Sequence, residues 1–348
     1  MGAGPDPILT VNAGSSSLKL RVLDGDDEVV CARESDFDGD EGRLRGELEA
    51  ILAAVGPLGA AGHRVVHGGP DFDGPTVVDA GVEARLERLA DLAPLHNPPA
   101  LAAIRALEAL APGLPTVACF DTAFHANLPA AASTYAVPAA WRQRWPLRRY
   151  GFHGLSHAYA SRRAAELLER PAAELRLVTA HLGAGASLAA VRGGRSVDTT
   201  MGFTPLEGLV MATRSGTIDP GLVLWVQRHG GLGPDEVERA LDRESGLLAL
   251  CGSADMREVV AGAEVGDERC RLAFDVYVHR LVAAVAAMAA AMGGLDALVF
   301  TGGVGENSAA VRDAATAGAA FLAPDLTTLV VPAREDLEIA SQVRAALG

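Results

Sequence analysis

The sequence predicts an α/β fold made of two related halves, each with a turn suited to a phosphate group. A short apolar strand at 8–11 runs into a turn of small polar residues at 12–17, the pattern of a buried strand that ends in a tight turn. The same order of strand, small-residue turn and strand returns at 175–192, about half a chain later. A strand and a glycine turn follow again at 297–307, where the backbone can approach a ligand closely. We therefore expect a duplicated α/β fold with a nucleotide held in a cleft between its halves.

Length and composition exclude several classes of protein. The 348 residues are enough for two domains with sizeable cores. A hydrophobic fraction of 49% excludes a disordered chain. The net charge of −14 at pH 7 argues against a nucleic acid or an anionic membrane surface as partner. An anionic substrate would therefore need a local basic pocket.

The cysteines and the apolar runs predict a cytoplasmic protein. The N-terminus, MGAGPDPILT, has neither the basic nor the apolar region of a signal peptide. The most apolar run, at 281–292, is too short to span a bilayer, so we expect a buried helix there. The sequence has four cysteines, Cys31, Cys119, Cys251 and Cys270. They lie far apart and lack CxxC spacing, so neither a zinc site nor a disulfide framework is indicated.

The elements of the first half follow from apolar runs and from the turn residues between them. Asp24 to Asp27 form a charged turn between two strand-like runs, which predicts a hairpin. Arg64 stands at the start of a strand-like piece that ends in a double-glycine turn, and Asp121 directly follows a strand. The proline-rich loop at 93–99 carries His96. The predicted strands are 17–23, 28–32 and 116–120, and the predicted helices are 43–54 and 83–92.

The second half begins with a basic loop at 148–150 that leads through two glycines into a helix capped by Ser156. A strand at 175–179 breaks at 181–186 and continues at 187–192, which repeats the opening stretch of the chain. The remaining predicted elements are a buried helix at 272–292, strands at 297–300 and 328–331, and a helix whose acidic first turn contains Glu335.

The opening turn has the composition of an anion-binding site. Backbone N–H groups bared in such a turn, together with the hydroxyls of Ser15, Ser16 and Ser17, form a concavity for nucleotide phosphates. Lys19, the only lysine of the sequence, adds a cation at its rim. An ordinary serine-rich hairpin is the alternative that this pattern alone leaves open.

Eight short motifs, taken together, resemble those of the acetokinase family, the acetate kinases. They occur in the family's order over nearly the whole chain, so the set is specific although no single motif is. The motifs are NAGSSSLK, HRVVHGG, APLHNPP, FDTAFH, YGFHGLSH, MGFTPLEGL, TRSGTIDP and GGVGEN. The resemblance implies the actin-like, ribonuclease-H-like ATPase fold that sugar kinases and heat-shock ATPases share. It also implies a reversible transfer of the γ-phosphoryl group of ATP to acetate, which gives acetyl phosphate and ADP.

The resemblance implies four catalytic residues. Arg64 and Arg214 match the two active-site arginines, and a guanidinium can hold a carboxylate bidentately and neutralise a phosphoryl group in transfer. His153 matches the histidine that contacts this phosphoryl group. Asp121 matches the catalytic acidic residue, which would orient the reactants or help to hold Mg²⁺, since an ionised acceptor needs no general base. A surface salt bridge for each arginine and a turn or cap role for Asp121 are the structural alternatives.

The resemblance also implies the metal and acceptor sites. Asn12 and Glu335 match ligands of Mg²⁺, with Mn²⁺ as an alternative, because a hard ion takes oxygen ligands and keeps waters. Arg64 and His96 would be among the residues that bind the acceptor. The apolar pocket for the methyl group would consist of Val66, Leu95 and Pro205. One methylene in such a pocket is worth only about 1–3 kcal/mol, so propionate and butyrate stay open as acceptors.

The nucleotide residues implied by the resemblance lie in three stretches. Those for the phosphates are Ser15, Ser17, Lys19, His181, Leu182, Gly183, Ala184 and Gly185. Those for the adenosine are Asp255, Met256, Arg257, Gly303, Val304, Gly305, Glu306 and Asn307. Ala184 and Ala186 depart from the family's HLGNGSS, which removes an amide and a hydroxyl. We therefore expect weaker nucleotide affinity or another phosphoryl donor, with a nucleotide-binding module that has lost turnover as the more distant alternative.

The expected domain boundaries follow from the same comparison. Domain I would comprise 1–122 plus 335–348, and domain II would comprise 123–334. The resemblance implies a homodimer that closes around acetate and ATP, since exclusion of water protects phosphoryl transfer from hydrolysis.

Overall fold

The computed structural model describes residues 6–14, 17–89, 97–323 and 325–348, and the chain divides into two compact units. Unit 1 comprises Met1–Ala126, His153–Tyr159 and Arg334–Gly348, and unit 2 comprises Asn127–Phe152 and Ala160–Ala333. The predicted domain II included 123–126 and 153–159, which belong to unit 1 in the structure.

Unit 1 contains a mixed sheet of six strands in the order β3-β2-β1-β4-β6-β5. β1, β2 and β3 form an antiparallel meander, β4 runs parallel to β1, and β6 runs parallel to β4. The short β5 pairs antiparallel with β6 at the edge. The strands are β1 (Ile8–Ala13), β2 (Ser17–Leu23), β3 (Val29–Asp36), β4 (Ala60–Val65), β5 (Thr76–Val77) and β6 (Thr116–Phe120).

Unit 2 repeats this arrangement with five strands in the order β11-β10-β7-β8-β9. Its first three strands form an antiparallel meander, β10 runs parallel to β7, and β11 runs parallel to β10. Counted from the outer strand of the meander, each sheet has the third, second, first and fourth strands of its unit in this order, followed by a further parallel strand. This shared order confirms the predicted duplicated α/β fold. The strands are β7 (Arg176–Leu182), β8 (Ala186–Arg192), β9 (Arg195–Thr199), β10 (Ala297–Thr301) and β11 (Thr327–Val330).

The helices of the described chain are numbered in chain order, and short 3₁₀ helices cover Ala123–His125 and Ala172–Glu174. Helix α6 begins in unit 1, and its residues from 160 onward belong to unit 2. The helices are α1 (Glu41–Ala54), α2 (Ala80–Arg88), α3 (Asn97–Leu110), α4 (Ala130–Ser133), α5 (Ala139–Arg144), α6 (Gly154–Leu167), α7 (Pro220–Gly230), α8 (Pro234–Arg243), α9 (Gly246–Cys251), α10 (Met256–Glu264), α11 (Glu268–Met292), α12 (Gly302–Asn307), α13 (Ala309–Ala319) and α14 (Glu335–Leu347).

The sheet of unit 1 is covered on both faces. Helices α1 and α3 pack on one face through Leu44, Leu48 and Leu107. Helix α14 packs on the other face against β1, β4 and β6. Gly62 makes this contact possible, because a Cβ there would lie 2.4 Å from the Ile339 side chain. The central strands are therefore buried on both sides, which explains their continuous apolar runs.

Several predicted elements differ from the structure. The loop predicted at 93–99 is already helical from Asn97, since prolines are tolerated in the first turn of a helix. Helix α6 begins at Gly154, so Ser156 lies inside its first turn and does not cap it. The third glycine turn forms the short helix α12 at Gly302–Asn307. The turn predicted at 181–186 contains only 183–185, because both flanking strands extend into it.

The apolar helix predicted at 272–292 is α11, which spans 25 residues. By length and composition alone the whole helix is long enough and apolar enough to cross a membrane, a test that a buried core helix also passes. One side of it packs on β7, β8 and β9 of unit 2. Buried side chains recur along this side at Ala273, Tyr277, Leu281 and Val285, the spacing of a helix that covers a sheet.

Candidate active site

The carboxyl ends of three neighbouring parallel strands bring Asn12, Arg64 and Asp121 together in unit 1. Asn12 lies near the end of β1, Arg64 near the end of β4, and Asp121 directly after β6. The register places Val11 beside His63 and Arg64 beside Cys119, so the three side chains meet at one edge. Arg64 had been predicted at the start of its strand. Its actual place near the end is where α/β sheets present functional groups.

Arg64 is the centre of this group. It donates hydrogen bonds from Nε at 3.0 Å and from Nη2 at 2.6 Å to Oδ2 of Asp121, and from Nη1 at 3.1 Å to Oδ1 of Asn12. Burial lowers the pKa of Arg64, but the charges of Asp121 and Glu335 outweigh burial and leave its pKa raised. The arginine is therefore a fixed cation whose plane is held from two sides.

Glu335, in the first turn of α14, completes the group. Its Oε2 accepts a hydrogen bond from Nδ2 of Asn12 at 3.3 Å and lies 4.0 Å from Nε of Arg64. The N-terminal turn of a helix favours an acidic side chain. The structure thus brings together the two predicted metal ligands and two of the three predicted catalytic residues of unit 1.

Asp121 is the most buried member, with a side chain that is 1% exposed. Burial raises the pKa of Asp121, and the charge and hydrogen bonds of Arg64, with a smaller contribution from the backbone N–H of Leu155, oppose this rise. Its Oδ1 is buried without a hydrogen bond among the described residues. An unpaired buried carboxylate oxygen is costly, so this atom calls for a further partner.

The residues present fit a magnesium ion. Asn12, Asp121 and Glu335 offer amide and carboxylate oxygens, and Mg²⁺ needs only one or two carboxylates because it keeps several waters. The unpaired Oδ1 of Asp121 gives structural support for this fit. Within the described ranges no three His, Cys, Asp or Glu side chains cluster as a complete metal site, so waters or phosphates would supply the remaining ligands.

His153 is held by the same part of unit 1. Its backbone is left-handed, with φ of 56°, which is strained for a residue other than glycine. The following N–H of Gly154 donates to the carbonyl of Asp121 at 2.9 Å. A Cβ on Gly154 would lie 2.1 Å from that same oxygen, so only glycine fits there. The histidine is thus fixed relative to Asp121 through the backbone.

The predicted acceptor residues are described only in part. Val66 is buried directly after β4, two residues beyond Arg64. Leu95 and His96 lie outside the described residues. Pro205 is half-buried in a loop of unit 2.

The predicted phosphate residues of the opening turn are also described only in part. Ser15 and Ser16 lie outside the described residues, and Ser17 begins β2. Lys19 is the cross-strand neighbour of Asn12 and pairs with Glu34 at 3.2 Å. The side chain of Lys19 is 45% exposed, so this ion pair is a weak one.

Arg214 lies in unit 2, and its Nε donates to Oδ1 of Asp242 at 2.6 Å. The side chain is 22% exposed. The salt bridge left open as an alternative for Arg214 is therefore present, whereas the partner of Arg64 is a buried member of the candidate site.

Unit 2 contains a pocket of about 860 Å³. Eight of the predicted nucleotide residues line it, namely Gly183, Ala184, Asp255, Met256, Arg257, Gly303, Val304 and Asn307. The predicted nucleotide residues of unit 2 that are not among its lining are His181, Leu182, Gly185, Gly305 and Glu306. Of these, Leu182 and Gly305 are buried, and Glu306 accepts a hydrogen bond from the N–H of Ala333.

The two alanines of the β7–β8 turn have different surroundings. Ala184 lines the pocket, and its carbonyl accepts a hydrogen bond from the N–H of Ala212 at 3.2 Å. Ala186 is fully buried at the start of β8. A side chain at 184 can therefore reach a ligand in the pocket, whereas one at 186 enters the core.

Sequence reasoning missed ten lining residues of this pocket, most of which are apolar or small. They carry no motif, and their only signal is that small residues surround the glycine turn and the start of α10. The missed residues are Ala212, Leu247, Ala254, Val260, Ala261, Glu264, Tyr277, Ser308, Ala309 and Ala310.

The chain is similar to known acetate and propionate kinases in sequence and in fold. The sequence model of the acetokinase family matches residues 46–336. The acetate kinase of Leifsonia xyli subsp. xyli is 48% identical in an alignment that is 392 positions long, gaps included, and covers 98% of each chain. The crystal structure of Porphyromonas gingivalis acetate kinase superposes with a TM-score of 0.91 at 34% identity, over 99% of this chain and 100% of that one. A propionate kinase from Francisella tularensis subsp. tularensis also gives a TM-score of 0.91, at 33% identity, over 98% and 100% of the two chains.

Proposed function

Because this chain belongs to the acetokinase family, we propose that it transfers the γ-phosphoryl group of ATP reversibly to acetate, which gives acetyl phosphate and ADP. The chain is a phosphotransferase with a carboxyl group as acceptor, the class to which its relatives belong. The observation that carries the proposal is Arg64, whose side chain is 18% exposed and is held by Asn12 and the buried Asp121 at the strand ends of unit 1. The four cysteines of the chain are free thiols, which suits an enzyme of the reducing cytoplasm.

Arg64 would bind and orient the acceptor. Acetate is already ionised at pH 7, so the reaction needs no general base and the site has to position an anion. A guanidinium that is held in its plane can offer two parallel N–H groups to a carboxylate at little entropic cost. Val66, buried two residues further along, would contact the methyl group.

A direct in-line transfer would need positive charge around the moving phosphoryl group, which spreads negative charge over three equatorial oxygens. His153 and Arg214 would donate hydrogen bonds to these oxygens. Magnesium, when bound, would supply Lewis-acid stabilisation of the phosphates. Asn12, Asp121 and Glu335 would hold it, and the unpaired Oδ1 of Asp121 would then gain a partner.

The pocket of unit 2 would hold the nucleoside of ATP or ADP. Asp255 caps α10 by accepting from the N–H of Arg257 at 2.9 Å and pairs with its guanidinium at 2.6 Å, which fixes one wall. Apolar side chains such as Met256 and Val260 would flank the faces of the base. A pocket of about 860 Å³ is ample for a nucleoside.

A homodimer is part of the proposal. Helix α7 buries none of its described side chains within the chain. Leu222, Leu224 and Trp225 on it are 50%, 51% and 59% exposed. Apolar side chains grouped in this way mark an interaction surface, and a second copy of the chain is its proposed partner. Trp225→Asp should lower the molar mass found by light scattering from that of a dimer to that of a monomer.

Propionate is the second candidate acceptor, because the chain is as similar in structure to the Francisella propionate kinase as to the Porphyromonas acetate kinase. One experiment separates these proposals. Acyl phosphate is trapped as the hydroxamate with acetate, propionate or butyrate, each with ATP, GTP or pyrophosphate and Mg²⁺. The highest kcat/KM for acetate with ATP supports the proposed function. Nucleotide binding without acyl phosphate from any pair of substrates would contradict it.

A further inference from the structure

Tyr277 is a tyrosine in a position where packing alone would require only a phenylalanine. It lies on α11 among the side chains that face the core of unit 2, and the residue is 3% exposed. Its neighbours along this side of the helix, Ala273, Leu281 and Val285, are all apolar. The ring therefore belongs to the core, and the hydroxyl is the feature that needs an explanation.

This hydroxyl has no partner. It is buried, and it makes no hydrogen bond to any residue that the structure describes. Burial also raises the pKa of Tyr277, so the group remains a neutral phenol that can both donate and accept. Buried polar groups are nearly always hydrogen-bonded, so one that is not calls for an explanation, such as a catalytic role or a further partner.

Tyr277 also lines the pocket of unit 2. Most other polar side chains of the lining, Glu264 excepted, already have a partner within the described residues. Asp255 and Arg257 pair with each other, Nδ2 of Asn307 donates to the carbonyl of Gly303 at 2.8 Å, and Ser308 caps α13. Tyr277 therefore combines a place in the pocket wall with an uncommitted hydrogen-bonding group.

We propose that Tyr277 determines nucleotide specificity by binding the base of the phosphoryl donor through its hydroxyl. The inference rests on the proposed function of the pocket and adds the Tyr277 hydroxyl as the group that hydrogen-bonds to the base. Nucleobases have ring nitrogens and carbonyl oxygens that accept hydrogen bonds and amino groups that donate them, so a phenol can pair with their edge. A site that hydrogen-bonds a substrate group rejects analogues without that group much more strongly than an apolar site does.

The base would have to displace part of the pocket wall, because the hydroxyl itself is shielded from water. Met256 is an apolar lining side chain that can adapt easily, since it is unbranched and has three rotatable bonds. The proposed bond would therefore form as the base enters, without competition from a bound water.

The test is Tyr277→Phe, which keeps the ring and removes only the hydroxyl. Binding of Mg-ATP and of Mg-tripolyphosphate is measured by calorimetry, and the melting temperature is measured without ligand. We expect the Kd for ATP to rise about three- to tenfold, as for one lost hydrogen bond, while the Kd for tripolyphosphate stays unchanged. The melting temperature should stay equal or rise, because an unpaired buried group is removed.

Tyr135→Phe is the matched control. Its hydroxyl bonds to Glu207 and accepts from the N–H of Phe203 at 2.9 Å, so its loss should lower the melting temperature and leave the Kd for ATP unchanged. An unchanged Kd for ATP in Tyr277→Phe, or a lower melting temperature, would overturn the inference. These outcomes are distinct from a failure of the proposed function, which would appear in the wild-type protein as absence of ATP binding or of acyl phosphate.

Discussion

Arg64 and Asp121 are joined by two hydrogen bonds that both end on one oxygen, Oδ2, at 3.0 and 2.6 Å. The other oxygen, Oδ1, makes no hydrogen bond within the described residues. The carboxylate thus orients the arginine with one atom and keeps the second for another partner. Because the two oxygens have separate partners, Asp121 can bind Arg64 through Oδ2 and a metal ion through Oδ1.

Arg64→Lys should lower kcat by about 10²-fold or more, although the charge is kept. A lysine ammonium cannot offer two parallel N–H groups, and it cannot bond to Asn12 and Asp121 while it holds a carboxylate. Steady-state kinetics with acetate and Mg-ATP measure the effect, and the KM for ATP should change little. Unchanged kcat and acetate KM in Arg64→Ala would refute the role of this residue.

Arg64→Ala should also destabilise unit 1, because it leaves the buried charge of Asp121 without a partner. Loss of one member of a buried pair typically costs about 3–5 kcal/mol. Adding Asp121→Asn to this variant should restore much of the free energy of unfolding without restoring activity. Urea titrations of the two single variants and the double variant measure it. Additive losses in the double variant would show that the two residues are not coupled.

His63 should make the protein sensitive to acid. It lies on β4, and both of its ring nitrogens are buried without a hydrogen bond among the described residues. Burial lowers its pKa from 6.5 to about 3. The unfolded chain therefore binds a proton below pH 6.5 that the folded chain does not bind until about pH 3. Stability should be fully present above that window and should be lost as the pH falls through it.

Between pH 7 and pH 5, this histidine should remove about 2 kcal/mol from the free energy of unfolding. Urea unfolding at the two pH values measures the loss, and His63→Leu is the variant that should reduce it by this amount. His67, whose pKa burial lowers to about 4, stays in the variant and accounts for part of the remaining loss. An equal loss in wild type and variant would exclude His63 as a source.

Gly154→Ala should abolish most activity, because the new methyl group would lie 2.1 Å from the carbonyl oxygen of Asp121. Relief of this clash must move His153 or Asp121. Gly56→Ala is the control, since a Cβ there would have nothing within 4 Å. Kinetics and melting temperatures of both variants are compared. Wild-type kcat in Gly154→Ala would mean that the backbone link does not position the histidine.

Ala184→Asn should tighten nucleotide binding. The residue lines the pocket of unit 2, so an amide there could add a hydrogen bond to a bound ligand. One such bond predicts a Kd for ATP lower by about two- to tenfold, with the KM for acetate unchanged. Calorimetry with ATP, GTP and pyrophosphate shows which donor gains. Weaker ATP binding in the variant would indicate that the alanine makes room for the ligand.

The duplicated fold could be predicted because each half repeats one local pattern. A strand that ends in a small-residue turn is visible in the letters themselves, at 8–17 and again at 175–187. The helix that begins at Glu335 was equally visible from its acidic first turn. Local signals of this kind survive folding because tertiary contacts reinforce them.

The site was harder to predict, because it depends on which strands lie side by side. Nothing in the sequence states that β1, β4 and β6 are neighbours. Only the family resemblance placed Arg64 and Asp121 in one site, and it did not predict the contact between them. The glycine stretch at 302–307 looked like a turn and is a helix, since the context of β10 overrides the low helix propensity of glycine. Tyr277 had no signal, because a tyrosine in an alanine-rich helix looks like any core residue.

Helix α14 covers the face of unit 1 formed by β1, β4 and β6, through Ile339, Ala340 and Val343. Those strands leave the ribosome long before the helix does, and the whole sequence of unit 2 is synthesised in between. A nascent chain must therefore carry an uncovered apolar sheet through most of its translation. Glu335 is part of the helix that covers this face. Docking of α14 after synthesis of the C-terminus therefore both completes the core of unit 1 and places a carboxylate beside Asn12.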